Sequence, residues 1–181
     1  MTATWKQSAL RWLPTFIGFP IGGFVAELVA GPVDGLAAAL LAGAITGLVL
    51  GAVQAWAMGS SGPPARQWII ATTAGLAVGL ALGSAAVGYG TSLADLVVQG
   101  AISGLALGSA QALVLRGRAA FLWAPALSSL WALGWAISTS IGVDVETQWA
   151  VFGASGAVVV TAATAVLLPV LLAHQTPRSA S

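Results

Sequence analysis

The chain has no cysteine in 181 residues, a single histidine, and only 6% charged residues. Without cysteine there are no disulfides, thiolate nucleophiles, thiolate metal sites or iron–sulfur ligands. His174 has no second histidine or cysteine with which to share a metal or a haem, so neither is expected. The shortage of charge decides the class. Soluble domains carry about 25% charged residues, and a chain that is 58% hydrophobic with so little charge cannot present a soluble surface. A formal net charge of +1 leaves no basic face for nucleic acid. Enzyme chemistry fails on inventory too: there is no nucleophile-and-base constellation, no phosphate loop after a strand and no zinc-protease spacing. The expectation is a non-enzyme without cofactor.

What the chain does have is long apolar runs. A helix rises 1.5 Å per residue, so roughly 20 apolar residues cross a hydrocarbon core about 30 Å thick. Six runs qualify, at about residues 12–31, 35–58, 67–88, 93–115, 121–141 and 149–172. Turn chemistry separates them, as in Gly31-Pro32-Val33-Asp34-Gly35 and Gly59-Ser60-Ser61-Gly62-Pro63-Pro64. Such short breaks force neighbouring helices antiparallel and leave no extramembrane domain between the runs. The first run follows Lys6 and Arg11 like a signal peptide, but its length, Pro20 and the hairpins beyond it favour a retained span.

Charge orients the bundle. Six crossings put Lys6, Arg11, Arg66, Arg116, Arg118 and Arg178 on one side, the cytoplasm by the positive-inside rule, with both termini. Glu27, Asp34, Asp95, Asp144 and Glu146 fall on the other. Trp5, Trp12, Trp56, Trp68 and Trp123 lie near the basic side and Trp149 and Tyr89 near the acidic side, as aromatic belts do. A bacterial inner membrane is the expected location.

The chain also repeats itself. Residues 43–55, GAITGLVLGAVQA, align without gaps to 100–112, GAISGLALGSAQA, and at the same offset of 57 Thr15 meets Thr72, Gly18 meets Gly75 and Gly22 meets Gly79. A weaker third copy is signalled by Trp12, Trp68 and Trp123, which open the odd spans, and by Gly153-Ala154-Ser155-Gly156. The unit is one hairpin used three times, at about 12–58, 67–115 and 121–172. Each copy crosses twice, so all three point the same way, as parallel repeats in a pseudo-threefold all-α membrane domain. A Trp-led odd span followed by a Gly-Ala-x-x-Gly-x-x-x-Gly-x-x-Gln even span resembles glycine-rich multi-pass membrane proteins of bacteria whose activity is uncharacterised. The resemblance covers about two thirds of the chain and implies no activity; the third copy departs from it by lacking the glutamine.

Small residues recur at every fourth position: Gly43, Gly47 and Gly51 in span two, Gly75, Gly79 and Gly83 in span three, Gly100, Gly104 and Gly108 in span four. Such stripes let helices in lipid approach closely; the other reading is a backbone-lined pore or groove.

The candidate polar residues are Glu27, Ser84, Gln54 and Gln111. A charge within a span costs roughly 2.5–3.5 kcal/mol on insertion scales, so Glu27 is either a carboxylate reaching the outer interface or a proton or cation site. Ser84, and Ser138 or Thr139, stand at its repeat-equivalent positions. Gln54 and Gln111 share the face of Gly47 and Gly104 and suit interhelical hydrogen bonds or solute coordination. Pro20, in Gly18-Phe19-Pro20-Ile21-Gly22-Gly23, is placed to kink or interrupt span one. Ser92 and Asp95 read as the cap of span four and Asp34 as that of span two. Trp131 and Trp135 form an aromatic face for lipid, a partner helix or a pigment, with lipid or a partner helix preferred. Two functions follow: a non-catalytic scaffold or accessory subunit, partnered by the lipid bilayer, itself or other membrane subunits, or a small-solute or ion transporter.

Overall fold

The computed structural model describes residues 2–115, 118–142, 146 and 148–173; Arg116, Val143, Asp144, His174 and Arg178 lie outside them. Among the described residues there is no strand, and six helical stretches are long and apolar enough to cross a membrane: Gln7–Ala30, Leu36–Met58, Ala65–Ala86, Leu93–Ala112, Ala120–Ser140 and Ala154–Leu171. The elements are α1 (Thr2–Trp12), a 3-10 segment (Leu13–Ile17), α2 (Gly18–Ala30), α3 (Leu36–Met58), α4 (Ala65–Ala86), α5 (Leu93–Ala112), α6 (Arg118–Ser140) and α7 (Ala154–Ala173). Each span packs on the next, and α7 returns to α1, the 3-10 segment and α2, so the spans close into a ring.

The turns are built from the residues that punctuate the sequence. Gly31 ends α2 at φ +70°, where a side chain would be strained, and its N–H returns to the Glu27 carbonyl. Ser92 and Asp95 form a capping box at the start of α5, with the Asp95 N–H on Ser92 Oγ and the Ser92 N–H on the Asp95 carboxylate, both at 3.2 Å. Asp34 does not cap α3; that position belongs to Gly35, which has no side-chain bond to give.

Span one is interrupted, but upstream of Pro20. Pro14 falls where α1 would otherwise continue, and its missing N–H and its clash with the preceding turn tighten the chain into a 3-10 segment. Pro20 then falls in the first turn of α2, where no N–H is required. Span six differs more. The helix begins at Ala154 rather than near 149, and residues 148–153 enter the bundle as non-helical backbone. Such backbone is tolerated at membrane depth only where protein surrounds it. Here Ala150, Val151 and Phe152 are buried, and Gln148 ties the segment to two other turns: its carbonyl accepts the Val33 N–H at 3.2 Å and its Nε2 donates to the Gly90 carbonyl at 2.6 Å.

The centre of the ring is filled. Phe152 stacks on Phe19 with ring centroids 5.2 Å apart and meets Trp131 and Trp135 edge-on at 5.2 and 6.2 Å. Trp131 and Trp135 are only 1% and 2% exposed, so their face turns inward onto this cluster rather than to lipid or an outside partner. Non-helical 148–153 brings Phe152 across, and each such aromatic pair adds about 0.5–1.5 kcal/mol beyond burial. Trp12, Trp68 and Trp123 are likewise buried, whereas Trp56 stays 70% exposed. The outward faces carry exposed apolar side chains such as Leu28, Leu48, Leu82 and Leu105.

Candidate functional site: the buried polar layers

Toward the end of the ring that bears α1's start and the α3–α4 turn, polar side chains point inward and bond to one another. Gln54 of α3 and Gln111 of α5 are brought together: Gln111 Nε2 donates to Gln54 Oε1 at 3.4 Å and to Thr72 Oγ1 of α4 at 2.9 Å. Each amide oxygen also accepts an indole N–H, Gln54 from Trp68 at 3.0 Å and Gln111 from Trp123 at 2.7 Å. Thr72 in turn donates to the Trp68 carbonyl at 2.8 Å. The third indole, Trp12, donates to Thr164 Oγ1 of α7 at 2.9 Å.

These three bonds follow one rule: the tryptophan that opens an odd span donates to a polar residue of the even span before it around the ring. Buried indole needs an acceptor, because the N–H cannot be left unpaired in an apolar interior without penalty. That is why Trp12, Trp68 and Trp123 turn inward instead of forming the interfacial belt expected for them. Thr164 escapes sequence reasoning as a partner. A signal exists: the step of 53 residues from Gly100 to Gly153 carries Gln111 onto Thr164. Gln54, Gln111, Trp12, Trp123, Phe19 and Trp131 are among the side chains around a small enclosed cavity of about 10 Å³. That is space for about one water molecule. Every side chain in this layer is neutral and none titrates near neutral pH, so what it can do is hydrogen-bond and hold helices in register.

The glycine stripes stand at helix contacts. A Cβ added at Gly43, Gly47 or Gly51 would come within 2.6–3.0 Å of α4, at Leu76 O, Thr72 O and Thr72 Cβ respectively. Gly75, Gly79 and Gly83 meet α5 in the same way, at Ala110 Cβ, Ser103 O and Gln99 O, 2.7–2.8 Å away. Gly100, Gly104 and Gly108 meet α6, at Trp131 O, the Leu127 carbonyl and Ala124 Cα.

The remaining candidates do not converge. Glu27 is half-buried on α2, while Ser84 on α4 is fully buried and its Oγ has no hydrogen-bond partner. Ser138 on α6 accepts the Gly156 N–H at 3.3 Å and lies 3.4 Å from Ser155 Oγ. Repeat-equivalent positions thus have three different surroundings. Among the described residues no three His, Cys, Asp or Glu side chains come together. Gln99 and Gln148, both buried, are polar residues that the sequence does not single out; an amide inside an apolar run was the available signal for Gln99. No family model, curated protein or solved structure matches the chain.

Proposed function

We propose that the chain is a non-catalytic scaffold or accessory subunit of a membrane assembly, built from three parallel hairpin repeats about a pseudo-threefold axis, with glycine stripes as its helix interfaces. The observation that carries this reading is the occupied centre: Phe19, Trp131, Trp135 and Phe152 close the ring where a solute path would run. The repeat is supported by contacts that recur at the sequence offset. Gly18 and Gly22 face Leu50 and Thr46, and 57 residues on Gly75 and Gly79 face Leu107 and Ser103. The exposed apolar flanks suit lipid, a second copy or another membrane subunit. The basic end is assigned to the cytoplasm with both termini, and the protein to a bacterial inner membrane. Extraction in mild detergent tests the reading: co-purification of a stable complex is expected, and a lone protein that moves solute in liposomes overturns it.

The half-buried Glu27 and the unpartnered Ser84 hydroxyl favour a second reading, a small-solute or ion transporter. In that case Glu27→Gln abolishes uptake or its pH dependence while leaving stability intact. A scaffold predicts no flux from parent or variant.

A further inference from the structure

Four side chains in the half of the bundle nearer the α2–α3 and α4–α5 turns keep a buried polar atom without a hydrogen-bond partner: Ser84 Oγ, Gln99 Oε1, Trp135 Nε1 and Gln148 Oε1. Their residues are 0%, 0%, 2% and 1% exposed. Three of them stand on successive helices at one level. Gly83, beside Ser84 on α4, lies against the Gln99 carbonyl of α5, which is 2.7 Å from the position of an added Cβ. Gly100, beside Gln99, lies against Trp135 of α6 through Cδ1, the ring atom bonded to the unpartnered Nε1. The fourth, Gln148, belongs to the re-entrant segment, whose Phe152 stands edge-on to Trp135. Two of the side chains are also held in place. Gln99 Nε2 donates to Ser103 Oγ at 3.3 Å, and Gln148 Nε2 to the Gly90 carbonyl, which leaves each amide oxygen as the free end.

The chemistry of the set narrows what it can take. It offers one N–H donor, two carbonyl acceptors and one hydroxyl that does both. An indole N–H opposes a cation, and two amide oxygens oppose an anion. An uncharged molecule that both donates and accepts satisfies all four. Leaving each atom unpaired in a low-dielectric interior is unfavourable, and native proteins pair such groups with protein or with bound water. From this we infer a buried binding site for a small uncharged hydrogen-bonding molecule at Ser84, Gln99, Trp135 and Gln148, filled by water or by a small neutral solute in its place. The site does not depend on whether the protein is a scaffold or a transporter.

Radiolytic hydroxyl-radical labelling of the full-length protein in liposomes tests it, because water held in the site generates the radical in place. Trp68, fully buried with its N–H bonded to Gln54, is the internal control. Trp135 is expected to label several-fold more than Trp68, and Ser84→Ala, which removes only the hydroxyl, to reduce that labelling. If glycerol suppresses labelling of Trp135, a neutral solute can displace the water; if glycerol has no effect, water is the occupant, and either result supports the site. Trp135 as protected as Trp68 in the parent overturns the proposal, and so does labelling of Trp135 that Ser84→Ala leaves unchanged.

Discussion

Placing a methyl group at Gly104 asks α5 and α6 to separate. The added Cβ would overlap the Leu127 carbonyl oxygen and lie 2.7 Å from Trp131 Cβ, whereas carbon atoms pack best at about 3.5–4.0 Å. Because carbonyl and Cβ belong to the α6 main chain and its root, no rotamer change relieves the overlap, and the helices must part by about 1 Å. A gap of that size forfeits a quarter to a half of the dispersion well for the atoms along the seam, and overpacking of this kind costs about 1–3 kcal/mol. Alanine recovers roughly 1 kcal/mol of helix propensity over glycine. Gly104→Ala is therefore expected to destabilise by about 0–2 kcal/mol, and Gly104→Leu by more, since the longer side chain has nowhere to go. Gly47 faces Thr72 O and Thr73 Cα at 2.7 Å and should respond alike. Gly18→Ala meets chiefly the end of the Leu50 side chain at 3.2 Å, which can turn away, so near-neutrality is expected there. Leu105→Ala, on a side chain 48% exposed, is the lipid-facing control. The readout is thermal unfolding and size exclusion in mild detergent. A Gly104→Leu protein as stable and monodisperse as the parent would refute the reasoning.

Gln111→Met removes the acceptor of Trp123 and the donor to Thr72 and Gln54 at once, so it should cost about 1–3 kcal/mol through the stranded groups. In a double-mutant cycle with Trp123→Phe, by thermal unfolding, the two losses should be less than additive; strict additivity counts against the bond. Cysteines introduced singly at Ser60 and at the exposed Ile141 have a clean background in a chain without native cysteine. They are expected to react with an impermeant maleimide from opposite faces of the membrane, Ser60→Cys from the cytoplasm, and labelling of both from one face would break the six-span topology.

Hydropathy and turn chemistry made most of the helices legible, because a segment that crosses lipid must satisfy its own backbone and must be apolar along about 20 residues. The same criteria fail where the backbone is satisfied by tertiary contacts. Residues 148–153 are as apolar as a helix end, but their bonds run to Val33 and Gly90, which no local pattern announces. Pro14 was hidden behind Pro20, since both break helices in principle and only the register of α2 decides which one lies harmlessly in a first turn. The polar candidates divide in the same way. Gln54 and Gln111 stand out in sequence by their repeat and do meet in space. The inward turn of Trp68 and Trp123 depends on those glutamines being across the helix contact, whereas their position near the basic ends of the spans points to the interface. Gln99 and Gln148 are not singled out in sequence and Trp135 reads there only as part of an aromatic face; helix register is what puts Ser84, Gln99 and Trp135 at one level.

On the proposed hairpin repeat, Thr164 stands where the first two copies carry their glutamine. In the first two copies the amide both accepts an indole N–H and lies next to the other amide, so Gln54 and Gln111 tie α3, α4, α5 and α6 together through Trp68, Thr72 and Trp123. Thr164 accepts from Trp12, but its own hydroxyl proton has only the Val160 and Thr161 carbonyls of its helix within reach, at 2.9 and 3.1 Å. Among the described residues it makes no bond to Gln54 or Gln111, although all three border the same small cavity. Among the described residues the Gln54–Gln111 network therefore joins α3, α4, α5 and α6, and the Trp12–Thr164 pair between span one and α7 stands apart from it. The seam between α7 and span one is also where Pro14 tightens the helix into a 3-10 segment, and where Leu10, Leu13, Phe16 and Val158 border an apolar cleft. The ring is thus stitched unevenly: the amide network and close glycine contacts tie α3, α4, α5 and α6 together, while α7 and the segment before it meet span one and the α2–α3 turn through separate bonds, Trp12 to Thr164 and Val33 to Gln148, beside apolar packing.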